Sequence, residues 1–467
     1  MRHRVASTHR PSSPTSLLLG AALAALPAAP CASAPSLGTL GLGTLGLLAL
    51  GCGPTVAAGT VRSPVADKWL LRAREDFGAA RVDAAHEAIQ KALALSPSDP
   101  EVRVLAARIA LARLEYDEAL RMLNQLPGSE AMGLRGRAHW YRGDLSAAAD
   151  ELEEMLNDPE VRDEWAKEVA GLARRGEGRT PFSISGSLLA TVEMAHVSPV
   201  VPYLVVPVEI DGEQGLAMLS TGMAEVVVDS ATRAEPSWIS LRFDERFEVG
   251  DVPALVQDLS GISRELNVPI KALLGVNLLR HLNVTIDHYG RQFVVRSYPA
   301  PAPPHATRVD LHYARGGGML LDAQLGATEA ARAALFVDSS LRFPMALDDA
   351  GWRKAGVEPA ELRVVPGDPE QRLREGLVPS VKLGAFDLKR VPAVSGAGVD
   401  TLEQGLQLDI DGILGAPVLA AYRITLSDGG RMMWLEDETS LRMMFGDLAP
   451  APGDETEGPA GPAEAQP

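Results

Sequence analysis

The hydrophobic period of the chain changes once, near Pro181. From residue 67 to about 175, small and apolar residues recur at three- and four-residue spacing, with charged positions such as Glu115, Asp117 and Glu118 between them. That pattern predicts amphipathic helices throughout. Within the stretch, Ala73 and Ala85 are matched by Ala107 and Ala119, each pair 34 residues apart. Gly136, Gly143 and Ala148 mark a third copy after a shortened connection. Beyond Pro181, Val200-Val201, Tyr203-Leu204-Val205-Val206, Val208 and Ile210 predict a strand ending at the turn Asp211-Gly212, and Leu216-Ala217-Met218-Leu219 predicts its partner. Met319-Leu320-Leu321-Asp322-Ala323, a turn near Gly326 and Ala333-Ala334-Leu335-Phe336-Val337 repeat that hairpin.

A longer repeat lies over this β-rich half. Leu273-Leu274-Gly275, Leu279, Leu282, Val284-Thr285-Ile286 and Gly290-Arg291 return as Ile413-Leu414-Gly415, Leu419, Tyr422, Ile424-Thr425-Leu426 and Gly430-Arg431. Every pair is 140 residues apart (415−275, 425−285, 431−291), and Val252-Pro253-Ala254 returns as Val391-Pro392-Ala393 at 139. A fixed offset across Gly, apolar and Arg positions points to a duplicated fold unit, with a site expected between the copies. The run Pro299-Ala300-Pro301-Ala302-Pro303-Pro304 reads as a linker between them. The tail from Ala449, rich in Pro, Gly and Glu without an apolar period, reads as disordered.

The first acidic residue is Asp67, and residues 1–51 are Arg-, Ala-, Leu- and Gly-rich, the pattern of an export segment. Two apolar cores compete within it. One ends in Ala32-Ser33-Ala34; the other ends in Leu48-Ala49-Leu50-Gly51-Cys52, which resembles a bacterial lipobox except at Ala49. Acylation of Cys52 would tether the protein to the cell envelope, at the periplasmic face or outer membrane, with residues 52–66 as a flexible stalk. The alternative is a plain secreted protein. The only cysteines are Cys31 and Cys52, so processing at Cys52 leaves no disulfide. Loss of Arg2, Arg4 and Arg10 leaves 41 basic against 61 acidic residues, a balance of −20, which disfavours nucleic acid as a partner.

The 34-residue period, with Pro97 and Pro100 after the second helix, resembles the tetratricopeptide repeat over residues 67–178. Three copies are the minimum for a stable stack, so the module is expected to lean on the β-rich half of the chain. The order in each later half is hairpin, short polar motif, further strands, apolar-apolar-Gly strand, short helix and closing strand pair. It resembles the retropepsin-like or pepsin-like aspartic peptidase fold in its duplicated single-chain form. The resemblance implies an α+β multidomain protein: helical repeats, then a mainly-β bilobal region with a first lobe at 183–298, a linker at 299–306, a second lobe at 307–446 and a tail at 447–467.

In that family each lobe brings an Asp-Thr/Ser-Gly loop to the junction, above the apolar-apolar-Gly strand. Carried over by residue, the loops fall on Ser220-Thr221-Gly222 and Asp338-Ser339-Ser340, with Leu274-Gly275 and Leu414-Gly415 beneath them. Thr221 and Ser339 take the hydroxyl positions that lock the loops together, whereas Ser340 stands where the family has Gly. Asp338 is the candidate catalytic acid. Ser220 occupies the other carboxylate's place, and this decides the functional expectation. The mechanism needs two carboxylates sharing a proton, one acting as acid and one as base toward a water. A lone carboxylate is a weak base for that task. Loss of one member of a jointly acting unit costs about 10⁴ in rate by analogy with catalytic triads.

The resemblance therefore implies a catalytically degenerate peptidase fold that binds a peptide or protein segment in the interlobe cleft and a protein partner on its repeats. Two rivals stand beside it. One is an active aspartic endopeptidase pairing Asp338 with a second acid, such as Asp229 or Asp338 of another chain. The other is a purely structural assembly protein. Asp229 also reads as a helix N-cap before Ala231-Thr232-Arg233, in parallel with Asp348. Asp287 and Asp428 read as turn formers. His281, His288, His305 and His312 lack ligand spacing, so no metal and no cofactor is expected.

Overall fold

The computed structural model describes residues 62–326, 331–366, 368 and 371–437. The export segment, Cys52 and the tail from Ala449 lie outside the described residues. Among the described residues no helix is long and apolar enough to cross a membrane.

Seven helices open the described chain: α1 (Pro64–Gly78), α2 (Val82–Leu95), α3 (Pro100–Ala112), α4 (Tyr116–Leu123), α5 (Ser129–Arg142), α6 (Leu145–Leu156) and α7 (Glu164–Arg175). The repeat positions Ala73, Ala85, Ala107, Ala119 and Ala148 are all buried where helices cross. Gly136 is held to its size by Leu152, whose Cδ2 would lie 2.5 Å from an added Cβ. Helix α1 begins three residues before the expected start at 67 and takes in the end of the expected stalk. Ser63 accepts the Ala66 N–H as N-cap, with Pro64 at the first helical position. Arg62 is fastened by Asp67 at 2.8 Å and Asp99 at 3.0 Å.

The next segment carries β1 (Ser183–Gly186), β2 (Leu189–Glu193), β3 (Val205–Ile210), β4 (Glu213–Ser220), β5 (Val226–Asp229), β6 (Ser237–Phe243), β7 (Phe247–Gln257), α8 (Ser260–Leu266), β8 (Ile270–Gly275), α9 (Val276–His281), β9 (Thr285–Asp287) and β10 (Gln292–Arg296). The last carries β11 (Thr307–Ala314), β12 (Gly318–Leu325), β13 (Arg332–Asp338), β14 (Met345–Leu347), α10 (Asp349–Lys354), β15 (Arg363–Val364), β16 (Arg374–Leu383), β17 (Phe386–Ser395), α11 (Val399–Leu406), β18 (Gly412–Gly415), α12 (Ala416–Leu419), β19 (Tyr422–Ser427) and β20 (Met432–Asp437). The expected strand from Val200 begins only at Val205. Pro199 and Pro202 bracket its first residues, and a proline cannot donate to a ladder.

Strands β7-β5-β8-β4-β3-β6 are hydrogen-bonded in that order and close through β6–β7. Strands β17-β14-β18-β13-β12-β16 follow the same order and close through β16–β17. Each half is therefore a six-stranded barrel with two parallel pairs, β4–β8 and β5–β7 in the first and β13–β18 and β14–β17 in the second. A further run, β11-β20-β19-β9-β10-β2, joins the barrels. At its middle β9 pairs antiparallel with β19, placing Thr285 opposite Thr425. Their hydroxyls hydrogen-bond at 2.8 Å. Two residues 140 apart facing each other across an antiparallel pair is what a local twofold axis between the halves requires.

Alternation along the strands divides the core. Leu219, Val228 and Leu274 point into a continuous interior shared with Leu335, Leu347 and Leu414. Met218, Val227 and Leu273 face the other way, onto Trp140, Leu152 and Val169 of the helices. Phe77 and Ala80 pack similarly with Leu320, Phe336 and Ile413. The helical stack thus leans on both barrels along its turn edge, where Asp409 N–H also donates to Gly78 O at 2.7 Å.

Replacing Thr285 by Val should cost about 1–3 kcal/mol, because the buried Thr425 hydroxyl loses its partner and Arg296 Nη1 loses an acceptor at 2.8 Å. The Thr285→Val/Thr425→Val double variant should cost less than the sum of the two singles. Urea denaturation of the four proteins measures this, and strict additivity would show that the two hydroxyls do not stabilise each other.

Candidate functional site

Two strand ends meet at the junction of the barrels. Strand β4 delivers Ser220 beside Gly275 of β8, and β13 delivers Asp338 beside Gly415 of β18. Ser220 and Asp338 thus hold equivalent places in the two halves. The chain beyond each loop then doubles back over the glycine. A Cβ on Gly275 would lie 2.1 Å from Glu225 O, and one on Gly415 would lie 1.9 Å from Phe343 O. Only glycine tolerates that approach, which explains the apolar-apolar-Gly signature in both halves.

The hydroxyls behind these residues exchange four buried hydrogen bonds across the junction. Thr221 Oγ1 donates to Val337 O at 2.9 Å and accepts Ser339 N–H at 2.9 Å. Ser339 Oγ donates to Leu219 O at 2.9 Å and accepts Thr221 N–H at 3.1 Å. The set is reciprocal, each loop supplying one hydroxyl, one N–H and one carbonyl. Gly222 closes it: an added Cβ would come within 2.9 Å of the Asp338 carboxyl group.

Asp338 is 2 % exposed and Ser220 3 %. The Asp338 Oδ1 accepts the Ser340 N–H at 2.8 Å and also the Ser340 hydroxyl. Ser340 thus binds the carboxylate directly. Burial pushes the Asp338 pKa up, and the two Ser340 bonds oppose it. No second carboxylate among the described residues bears on this titration. Tyr203 lies close enough to feel the charges of Asp338 and Arg342, and its hydroxyl donates to Glu265 Oε1 at 3.1 Å.

Asp229 is not brought to Asp338. Strand β5 runs antiparallel to β8, pairing Val228 with Ala272, so Asp229 lies about four residues from Gly275, roughly 13 Å at strand rise. Its carboxylate accepts Leu259 N–H at 3.2 Å and Ala231 N–H at 3.3 Å. The expected helix after it is only a turn, whereas Asp348 does cap α10 through Gly351 N–H at 2.6 Å. The difference is local: Asp229 O accepts both Thr232 and Arg233 N–H, and Glu235-Pro236 then stops a helix from extending. Asp287 ends β9 and accepts Gly290 N–H of the following turn at 2.7 Å, and Asp428 opens a turn and pairs with Arg431 at 2.7 Å. Among the described residues no group of three or more His, Cys, Asp or Glu could hold a metal ion.

With this geometry in place, comparison with known proteins gives two kinds of likeness. The tetratricopeptide repeat family model matches residues 76–138. A search of curated protein sequences found no match. Among solved structures, the chain is similar to a retropepsin-like aspartic protease from Rickettsia conorii at 17% identity, covering 28% of this chain and 91% of that one, TM-score 0.22. It is also similar to Basic 7S globulin from soybean, at 10% identity, covering 56% and 97%, TM-score 0.35. A third is the aspartic proteinase from Irpex lacteus, at 9% identity, covering 53% and 97%, TM-score 0.33.

Sequence reasoning missed a second polar group on the same loop. Glu225 is buried and accepts Trp140 Nε1–H at 3.2 Å and Asn277 Nδ2–H at 3.3 Å. Burial raises its pKa. The one signal available was a polar residue inside an apolar run, Asn277 between Gly275-Val276 and Leu278-Leu279.

A carboxyl group with a raised folded pKa keeps its proton where the unfolded chain has lost it. The folded state then binds more protons, and stability falls as pH climbs from the unfolded value of about 3.9 through the folded one. Asp338→Asn keeps an oxygen for the Ser340 N–H and removes this penalty. It should therefore melt above the parent at pH 7, the gap closing below about pH 4. Calorimetry at both pH values checks the sign, and a variant less stable at pH 7 would contradict it.

Proposed function

We propose that the β region is a bilobal scaffold of the aspartic peptidase type, built from two duplicated units, in which one dyad carboxylate is replaced by Ser220. We further propose that the protein works by binding protein segments rather than by cutting them. The observation carrying this reading is the equivalence of Ser220 and Asp338 at the two strand ends, joined by the reciprocal Thr221–Ser339 bonds. The scaffold that aims two side chains at one point is intact, yet one of the two is a hydroxyl. Water activation between two carboxylates needs like charges whose repulsion splits their titration. Asp338 has no such neighbour among the described residues, and its Oδ1 is taken by Ser340. The segment bound would be an extended peptide or a protein partner met by the helical repeats, as such modules commonly do.

Cleavage of a quenched fluorescent peptide library between pH 3 and 7 tests the reading. The parent should show no turnover. Ser220→Asp combined with Ser340→Gly, which restores the acid and frees Asp338, should gain activity with an acid optimum. Turnover by the parent that Asp338→Asn abolishes would overturn it.

The proposed setting is the bacterial cell envelope, with Cys52 as the lipid-bearing residue. Metabolic labelling with a fatty-acid analogue should mark the parent and leave Cys52→Ser unmarked; equal labelling of both, or labelling of neither, would overturn Cys52 as the lipid-bearing residue.

A further inference from the structure

The polar residues missed by sequence reasoning lead to a second site, between the helical stack and the first barrel. Glu225 and the helix α9 that comes after Gly275 abut the end of α5 and the connecting segment before β1. Between them lies a cavity of about 190 Å³, walled by Trp140 and Tyr141, by Phe182, and by Glu225, Asn277 and Arg280. That is larger than the ~150 Å³ known to hold a benzene-sized molecule. Two exposed side chains, Arg142 and Arg179, line it as well. Both are satisfied, Arg142 by Asp117 at 2.5 Å and by Asp144, and Arg179 by Asp251 at 2.6 Å.

Arg280 is not satisfied in that way. It is 5 % exposed, its guanidinium lies 5.7 Å from the Tyr116 ring centroid and 5.6 Å from that of Tyr141, and its Nη1 has no hydrogen-bond partner. No ion pair among the described residues includes it. Glu225 is the carboxyl group whose charge it feels, but the Glu225 oxygens accept from Trp140 and Asn277 and form no ion pair with Arg280; burial pushes the Glu225 pKa up while those bonds and Arg280 pull it down. His281, held mostly neutral by burial, with a pKa lowered to about 4, supplies no negative charge. A buried charge without a counterion is strongly destabilising. A water molecule would satisfy the hydrogen bond and leave the charge uncompensated.

Asn277, 2 % exposed, lines the same cavity with its Oδ1 unpartnered. As residues i and i+3 of a helix, Asn277 and Arg280 present neighbouring side chains. The opposite wall is built under strain: Phe182 holds a left-handed backbone, φ 57°, and its ring stacks on His281 at 4.5 Å. A bulky residue in that conformation persists only where its surroundings impose it, and such strain gathers at binding sites.

We propose that this cavity binds a carboxylate carrying an adjacent N–H or O–H donor, the carboxylate on Arg280 and the donor on Asn277 Oδ1. The C-terminal residue of a peptide has this chemistry, and so does a free small hydroxy acid. The volume suits one terminal residue rather than an extended segment. The site is independent of the junction between the barrels and of whether Asp338 takes part in any reaction.

The test titrates the purified protein with N-acetylalanine, N-acetylalaninamide and lactate, following calorimetric heat and the thermal midpoint. N-acetylalanine should bind saturably, and the amide, which lacks the charge, at least tenfold more weakly. Lactate binding as well as N-acetylalanine identifies a small acid as the source; lactate binding much more weakly identifies a peptide terminus. Arg280→Gln should lose at least tenfold in affinity for the acid while its own midpoint does not fall. Asn277→Asp, which sets a carboxylate beside Arg280 from within, should also lose at least tenfold and provides the reading should Arg280→Gln fail to fold. Equal binding of acid and amide, or no saturable binding of any of the three, overturns the proposal.

Discussion

The four hydrogen bonds exchanged by Thr221 and Ser339 are the constraint on which the rest of the β region depends. Each net bond is worth about 1 kcal/mol, but an orphaned buried donor or acceptor costs about 1–3 kcal/mol. The two loops are therefore stable only when both are present and in register. Gly275 and Gly415 let the chain cross back over the strand ends, Gly222 leaves room for the opposing carboxyl group, and the Thr285–Thr425 bond ties the two halves together at a second place.

Onto this symmetric frame the chain places unlike chemistry. The first half has Ser220, Glu225 and Asn277 where the second has Asp338, Phe343 and Pro417, on the alignments set by the paired strands and the overlying carbonyls. The second half keeps its charge at the junction, buried and bound by its own Ser340. The first half turns its polar groups outward to the helices, where Glu225 meets Trp140 and Arg280 lies among tyrosines. The asymmetry arises from the covering. One face of the first barrel packs on α5 to α7 through Met218, Val227 and Leu273, so polar residues near that face become interior groups needing partners.

The helical stack gains from the same contact. Three helix pairs bury little surface alone. Phe77 and Ala80 at one end, and Trp140 and Tyr141 at the other, extend its core into both barrels. The stack and the β region therefore share cores.

Much of this was legible before any coordinates. The buried alanines of the repeats, the two hairpins and the glycine strands followed from spacing, because helix crossing and strand crossover each demand a small residue at a fixed separation along the chain; the two loops were placed by the family resemblance. Some local readings failed where a neighbour overruled propensity: prolines delayed the strand at Val205, and Ser63-Pro64 started α1 early. What spacing could not supply was the company each side chain keeps. That Ser340 binds Asp338, that Asp229 is about a strand's length away, and that Glu225, Asn277 and Arg280 share one cavity with Tyr141 were decided only in three dimensions. Period and turn chemistry act over a few residues, whereas burial and charge compensation depend on which distant segments come together.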